Sequence, residues 1–236
     1  MTADLDLALV SGGNRGIGRA LVEALAARVF TVYLGARDMR MAETVSAALR
    51  ERGVGEVIPI ALDVRSGESV AAAADQLGSR GVDLLFNNAG ILLEDPLLLP
   101  PDVTAAADDP VARSIETNLY GPLRLVRAFA PGMVGRGRGR IINVSSGWAS
   151  FGEGLGPGPY AISKVALNAL TVTLARELPA EVTVNAVDPG WVATDMGGAS
   201  ATKSPESAAA DILEVALGEL GRGTGGFFYE GKPRAW

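Results

Sequence analysis

Tyr160 and Lys164 stand four residues apart in the run Tyr160-Ala161-Ile162-Ser163-Lys164. On a helix that spacing puts both side chains on one face. A free phenol loses its proton only at about pH 10. An ammonium beside it favours the tyrosinate and draws that pKa toward the working range, as a general acid or base requires. The chain has no histidine and no cysteine. Thiolate nucleophiles, disulfides, Ser-His-Asp hydrolases and zinc sites of the usual kind are therefore excluded. Acid–base chemistry must come from Tyr, Lys, Asp or Glu, and this pair is the strongest candidate.

A second constellation lies near the start, Ser11-Gly12-Gly13-Asn14-Arg15-Gly16-Ile17-Gly18. Gly12, Gly16 and Gly18 give the spacing G-x-x-x-G-x-G between an apolar run and a helical pattern. Glycines there let the backbone turn sharply and approach a pyrophosphate, and the following helix offers free N–H groups and the positive end of its dipole. The loop is read as a dinucleotide site, the alternative being a glycine-rich turn that binds nothing. An acid at the end of the second strand would hold the ribose 2′-hydroxyl of NAD. Here the strand ends at Leu34 and Gly35-Ala36-Arg37 follows. Arg37, with Arg15 from the loop, is expected to converge on a 2′-phosphate, which favours NADPH/NADP+. Asp38 is open to the plainer role of capping the next helix.

These residues need a scaffold that fixes them. The chain has 236 residues, 48% hydrophobic and 20% charged, a globular composition long enough for one large α/β domain or two small ones. No linker divides it, so residues 1–236 are expected to form a single domain. Short β-rich runs (Leu5–Val10, Phe30–Leu34, Val57–Leu62, Val82–Phe86, Arg140–Val144, Val182–Val187, Gly226–Tyr229) alternate with helical patterns (Gly16–Arg28, Asp38–Arg52, Ser66–Leu77, Pro110–Met133, Tyr160–Leu178). The strands are near-continuous apolar runs, as when helices cover both faces. The pattern predicts an α/β fold, a doubly wound parallel sheet of about seven strands. Asp95–Pro110 and Gly147–Pro159 read as loops. A net charge of −6 argues against a nucleic-acid partner, and the basic run Gly135–Arg140 reads as a solvated turn. No run of eighteen apolar residues exists, so no membrane span is expected. Met1 to Asp6 is acidic and does not resemble a signal peptide. The cytoplasm is the expected compartment, and no metal is expected.

Further motifs fall in order along the same frame: Asn87-Asn88-Ala89-Gly90, Asn118 in Glu116-Thr117-Asn118-Leu119-Tyr120-Gly121, Ser145-Ser146 after Gly139-Arg140-Ile141-Ile142-Asn143-Val144, and Pro189-Gly190-Trp191-Val192-Ala193-Thr194. With the glycine loop and Tyr160/Lys164, the chain resembles the short-chain dehydrogenase/reductase superfamily over essentially its whole length. Gly35-Ala36-Arg37-Asp38, Asp195-Met196 and Ala201-Thr202-Lys203-Ser204-Pro205-Glu206 make it similar to the NADPH-dependent carbonyl reductase branch. The resemblance implies a single-domain Rossmann fold. It implies Tyr160 as proton donor and Lys164 on the nicotinamide ribose. Ser146 would hold the carbonyl, and Asn118 a water of a proton relay. Gly12, Asn14, Gly16, Ile17, Gly18, Asp63, Val64, Asn87, Ala89, Gly90, Pro189, Gly190, Val192 and Thr194 would line the cofactor, although Asn87 reads more readily as a brace for the sheet. Ser145 is the rival of Ser146, and strand alternation allows only one of them to serve. Ser11 stands where the family usually has threonine; the hydroxyl is kept. The 13 residues between Ser146 and Tyr160 lack the long insertion of the animal carbonyl reductases, thought to keep those monomeric, so a homodimer or homotetramer is open.

Specificity is expected in two loops, Gly147–Pro159 and Trp191–Pro205, after strand ends where open α/β sheets bind ligands. Trp148, Leu155 and Trp191, with Phe151, would give an apolar lining for a small-molecule carbonyl compound. The two tryptophans can equally be packing residues. The expected activity is reduction of an aldehyde, ketone or quinone. The rivals are an NAD-dependent alcohol dehydrogenase and a non-catalytic NADP-binding sensor.

Overall fold

The apolar runs become strands Leu7–Ser11 (β1), Thr31–Ala36 (β2), Glu56–Ala61 (β3), Leu84–Asn87 (β4), Gly139–Val144 (β5), Val182–Asp188 (β6), Phe227–Tyr229 (β7) and Lys232–Pro233 (β8). The computed structural model describes residues 6–28, 30–98 and 109–236, so Leu5 and the centre of the expected loop Asp95–Pro110 lie outside the described residues. The strand order is β3-β2-β1-β4-β5-β6-β7-β8. Every pairing from β3 to β7 is parallel, and β8 alone is antiparallel. Seven strands match the expectation. The eighth is a two-residue strand turned back through Glu230 and Gly231, both at positive φ. That backbone suits the tight hairpin turn, but two residues are too short to register as a periodic run.

The helices are Gly16–Ala26 (α1), Met39–Glu51 (α2), Gly67–Leu77 (α3), Pro110–Ile115 (α4), Gly121–Arg136 (α5), Gly158–Glu177 (α6) and Pro205–Leu217 (α7). Leu21 and Leu25 of α1, Val45 and Leu49 of α2 and Ile212 and Leu213 of α7 bury one sheet face. Val70 and Leu77 of α3, Leu125 and Phe129 of α5 and Leu174 of α6 bury the other. All seven residues of β6 are buried, as a parallel strand covered on both sides must be. Helix α7 is not among the expected elements. Its start nevertheless carries the signal, with Ser204 accepting from the Ser207 N–H at 3.1 Å and Pro205 in the first turn. The single helix expected over Pro110–Met133 is instead α4 and α5 joined by a π-helical turn, Glu116–Tyr120. No helix among the described residues is long and apolar enough to cross a membrane.

Because the strands run parallel, their C-terminal ends deliver the connecting loops to one edge, and the order reverses between β1 and β4. Helix α6 is fixed above that edge by a buried polar chain. Asn87 Nδ2 donates to Asn143 Oδ1 at 2.7 Å, Asn143 Nδ2 to Thr171 Oγ1 at 2.8 Å, and Thr171 Oγ1 to the Leu167 carbonyl at 2.9 Å. Asn143→Leu keeps the volume but orphans the Asn87 amide and leaves Thr171 short of a donor, so it should destabilise the fold by about 1–3 kcal/mol. Urea unfolding tests this; an unchanged midpoint would show that the chain contributes nothing.

Candidate active site

The loop after β1 closes on itself and on the loop after β4. Gly12 and Gly16 have φ of +66° and +51°, backbone that glycine adopts without strain. A Cβ on Gly18 would lie 2.1 Å from the Gly12 carbonyl oxygen, so the α1 start can approach the loop only as glycine. Asn88 Nδ2 donates to the Ser11 carbonyl (2.9 Å) and the Gly12 carbonyl (3.2 Å). Ser11 Oγ donates to the Phe86 carbonyl (3.1 Å) and accepts from the N–H groups of Asn88 (3.0 Å) and Ala89 (3.1 Å). The serine hydroxyl thus does the joining work for which its kind is needed there. Helix α1 has no side-chain cap and no acid in its first turn. Its N–H groups and positive dipole end therefore face the cleft, the environment a pyrophosphate requires.

The cleft has a volume of about 1730 Å³ and runs from Arg37–Met41 across the glycine loop to Tyr160, Lys164 and Thr194. Of the expected cofactor residues, Gly12, Asn14, Arg15, Gly16, Ile17, Gly18, Arg37, Asp63, Val64, Ala89, Gly90, Tyr160, Lys164, Pro189 and Thr194 line it. Asn87 does not. It is a strand residue, 2% exposed and turned to Asn143, and its neighbour Asn88 takes the place at the wall. The repeated asparagine was the available signal, and strand alternation sends the two side chains apart. Gly190 and Val192 also lie behind the wall. Gly190 packs on Tyr229, and Val192, 4% exposed, bridges to Lys203. Arg65 and Arg113, not singled out from the sequence, line the cleft as well.

Arg37 is exposed at the end of β2. Asp38 caps α2, its Oδ1 accepting from the N–H groups of Arg40 (3.0 Å) and Met41 (3.2 Å). Arg15 does not converge with Arg37. Its guanidinium pairs with Asp195 at 2.8 Å, both side chains being largely exposed. Such a solvent-screened pair is weak and opens at little cost. Asp63 is held by Arg65 (Nη2–Oδ2 2.8 Å), whose hydrogen bond keeps its carboxyl below the usual range. Ser66, not Asp63, caps α3.

At the other end, Ser145 and Ser146 diverge as strand geometry demands. Ser145 Oγ donates to Asn168 Oδ1 at 2.6 Å inside the fold. Ser146 stands beside the Tyr160 phenol, where its hydroxyl favours the ionised form, and caps the 3₁₀ turn Gly147–Ala149 by accepting from the Trp148 N–H at 3.2 Å; of the two serines it is Ser145 that lines the cleft. Burial pushes the Tyr160 phenol up to about 12, opposed by the Ser146 hydroxyl and reinforced by the Asp188 carboxylate. This differs from the lowered value the sequence suggests: Lys164 lies 5.6 Å from the phenol ring centroid, and burial of the phenol dominates. Lys164 is itself 4% exposed. Its ammonium donates to the Val144 carbonyl at 2.7 Å, and burial pulls its pKa down to about 8. Asn118, in the π-helical turn, is fully buried. Its Oδ1 accepts from the Ile91 N–H (2.9 Å), and its Nδ2 donates to the Ile91 carbonyl and Ser163 Oγ (both 2.9 Å). With both amide protons committed, the side chain ties the strand-β4 loop to α6. A water could be taken only by an oxygen of this residue.

Trp148, Phe151, Leu155 and Trp191 are exposed and none lines the cleft; of them Trp148 meets Tyr160 edge-on at 5.9 Å. The Trp191 indole N–H is bonded to the Gly197 carbonyl at 2.8 Å, folding that ring over its own loop.

A doubly wound sheet with a glycine loop at its switch point and a buried Tyr–Lys pair beside it defines a nucleotide-dependent oxidoreductase scaffold. The chain matches the short chain dehydrogenase family model over residues 6–205 and belongs to the short-chain dehydrogenase/reductase family of oxidoreductases, which bind a nicotinamide cofactor. It is 36% identical over 224 residues to 3-oxoacyl-(acyl-carrier-protein) reductase FabG of Vibrio harveyi, covering 94% of this chain and 86% of that one. Among solved structures it is similar to an NADPH-bound carbonyl reductase from chicken fatty liver (TM-score 0.83, 29% identity, 99% and 100% covered). It is also similar to a 3-oxoacyl-(acyl-carrier protein) reductase with bound NAD from Brucella melitensis (0.81, 29%, 95% and 88%).

The buried lysine makes a stability prediction. Below about pH 8 folded and unfolded states both carry the Lys164 proton, and the folded state bears the full desolvation cost. Above it the folded lysine goes neutral first, so stability rises with pH toward the unfolded value. Relative to Lys164→Met, the wild type should gain roughly 2–3 kcal/mol between pH 7 and pH 10. Parallel chemical unfolding of both proteins checks this. A constant difference would mean that the folded lysine titrates like a free one.

Proposed function

We propose that this protein is an NADPH-dependent reductase that turns the carbonyl group of a small, largely apolar compound into an alcohol. The observation that supports it best is the buried Tyr160–Lys164 pair at one end of a cleft whose other end presents Arg37, with Ser146 beside the phenol. When bound, the nicotinamide supplies hydride to the carbonyl carbon. Ser146 Oγ donates a hydrogen bond to the carbonyl oxygen as negative charge builds there. Tyr160 then passes its proton to that oxygen. The buried Lys164 ammonium stabilises the tyrosinate left behind. At neutral pH the phenol is protonated and the ammonium charged, the state that reduction needs. The loop N–H groups of Gly12–Gly18 hold the pyrophosphate, and Lys164, next to Gly90, holds the ribose. The structural neighbours carry both NADPH and NAD. The choice of NADPH rests on Arg37, exposed on the cleft wall at the end of β2, and on its acidic neighbour Asp38 serving as the cap of α2.

A second reading of the substrate is a 3-oxoacyl thioester, favoured by the 36% identity to 3-oxoacyl-(acyl-carrier-protein) reductases. The exposed apolar rim of Trp148, Phe151, Leu155 and Trp191 supports the small apolar carbonyl instead. A non-catalytic sensor is disfavoured by retention of both Tyr160 and Lys164. We place the reaction in the cytoplasm, in a single catalytic domain. Exposed Val134 and Ile162 on the long helices support a homodimer or homotetramer.

Initial rates of NADPH oxidation against aromatic aldehydes, α-diketones, keto esters, quinones and a 3-oxoacyl thioester test this reading. Tyr160→Phe should keep NADPH binding and lose about 10²–10⁴-fold in turnover. Retained turnover would remove Tyr160 from its role. Arg37→Asp should shift the NADPH/NADH ratio of kcat/KM toward NADH by about tenfold or more, the size of one charge-assisted phosphate contact. An unchanged ratio would show that Arg37 does not read the phosphate.

A further inference from the structure

Asp188 ends β6 only 4% exposed, and the carboxylate is not part of the proposed chemistry. Its Oδ1 accepts from the Gly190 N–H at 2.9 Å, and its Oδ2 is paired with Arg234, a residue from the segment after β7. The Arg234 side chain is 12% exposed and pairs a second time, with Glu153 in the middle of the loop 147–157. The same segment holds that loop by its backbone. The Trp236 carbonyl accepts from the Gly152 N–H at 3.3 Å, and the Ala235 carbonyl accepts from Ser150 Oγ at 3.1 Å.

This junction lies directly beneath the reacting end. A Cβ on Gly147 would stand 2.9 Å from Asp188 Oδ2 and 3.0 Å from Arg234 Nη2, so the turn that starts at Ser146 rests on the ion pair. Trp148 follows and touches Tyr160. The second loop is tied to the same place. Tyr229 has the Arg234 guanidinium 5.1 Å and the Lys203 ammonium 5.3 Å from its ring centroid, and Lys203 bridges to Val192 while pairing with Asp211. Arg234 is anchored at its own backbone by donating to the Phe227 carbonyl at 2.7 Å. A guanidinium with a rigid fork of donors can serve two carboxylates at once, and a lysine cannot do so with the same geometry. Desolvated on one side by β6 and exposed on the other at Glu153, the pairing joins the sheet to a loop that otherwise has long exposed glycine-rich stretches.

Resting on the reductase reading above, we infer that Arg234 is a positioning residue for substrate choice. By gripping Asp188 and Glu153 together it fixes the loop 147–157 over Tyr160, and thereby sets which carbonyl compounds the site accepts. It touches neither the cofactor cleft nor the reacting atoms.

The test uses the full chain with Arg234→Met, Arg234→Lys and Glu153→Gln, and two readouts. The first is amide hydrogen exchange, which needs no turnover. Exchange in 147–157 should speed up in Arg234→Met and Glu153→Gln, less so in Arg234→Lys, and stay unchanged in the glycine loop 12–18. The second is the kinetic split: KM for the preferred carbonyl should rise about tenfold or more in Arg234→Met, with the Kd for NADPH within about twofold. Unchanged loop exchange in Arg234→Met, or a parallel loss of NADPH affinity, would overturn the inference. Should Arg234→Met fail to fold, Glu153→Gln keeps the Asp188 pair and decides the matter, unchanged exchange again overturning it. If the wild type reduces no carbonyl, the functional reading fails separately, and the exchange data still decide whether Arg234 holds the loop.

Discussion

A charged amine held out of water is the constraint around which the rest of the site is built. Lys164 is almost fully buried, and among the described residues its ammonium meets one protein acceptor, the Val144 carbonyl. An ammonium has three donors, so two are left to face the cleft. Burying such a group is costly unless something compensates it. On the proposed reading, the compensation arrives with the ligand: ribose hydroxyls accept from it, and the tyrosinate formed during turnover pairs with it. The protein thus holds a cation whose full stabilisation is deferred to the moment of reaction, which is what electrostatic preorganisation asks for.

Holding that cation in place accounts for features that otherwise read as unrelated. The Asn87–Asn143–Thr171 chain sets the rotation of α6 on the sheet. The π-helical turn swings Asn118 inward, where it joins Ile91 to Ser163, one residue before Lys164. π-turns of this kind interrupt helices chiefly where a side chain must be placed against the normal register. At the far edge, Ser11 and Asn88 hydrogen-bond the glycine loop to the loop after β4, tying both walls of the cleft together. Arg234 extends the same logic to the substrate loops, through ion pairs rather than through the sheet.

Much of this was legible in the residues. The strand pattern located seven parallel strands because a strand covered on both faces must be apolar throughout. The glycine spacing and the Tyr160/Lys164 pair were readable from local geometry, whereas the preference for Ser146 over Ser145 came from the family resemblance. What was not legible depends on partners distant in the chain. Asn87 and Asn88 are identical in type, and only the sheet register sends one to Asn143 and the other to the glycine loop. The pairing of Arg15 with Asp195 joins residues 180 apart. The phenol pKa turned on how completely Tyr160 is buried, which depends on what the fold packs around it. The π-turn has no periodic signature, since it is a single inserted step in an otherwise helical pattern. Asp188 and Arg234 are ordinary charges in the sequence, and only the fold brings the end of β6 to the segment after β8.

The central claim is that Tyr160 gives up the proton and that Lys164 governs how readily it does so. The most direct measurement is the pH profile of kcat/KM for carbonyl reduction in the wild type and in Lys164→Met. The account predicts a rate that falls above about pH 8 as Lys164 loses its charge, with no such fall in the slower Lys164→Met. An alkaline limb near pH 8 in both proteins would contradict it, because the fall would then come from a group other than Lys164.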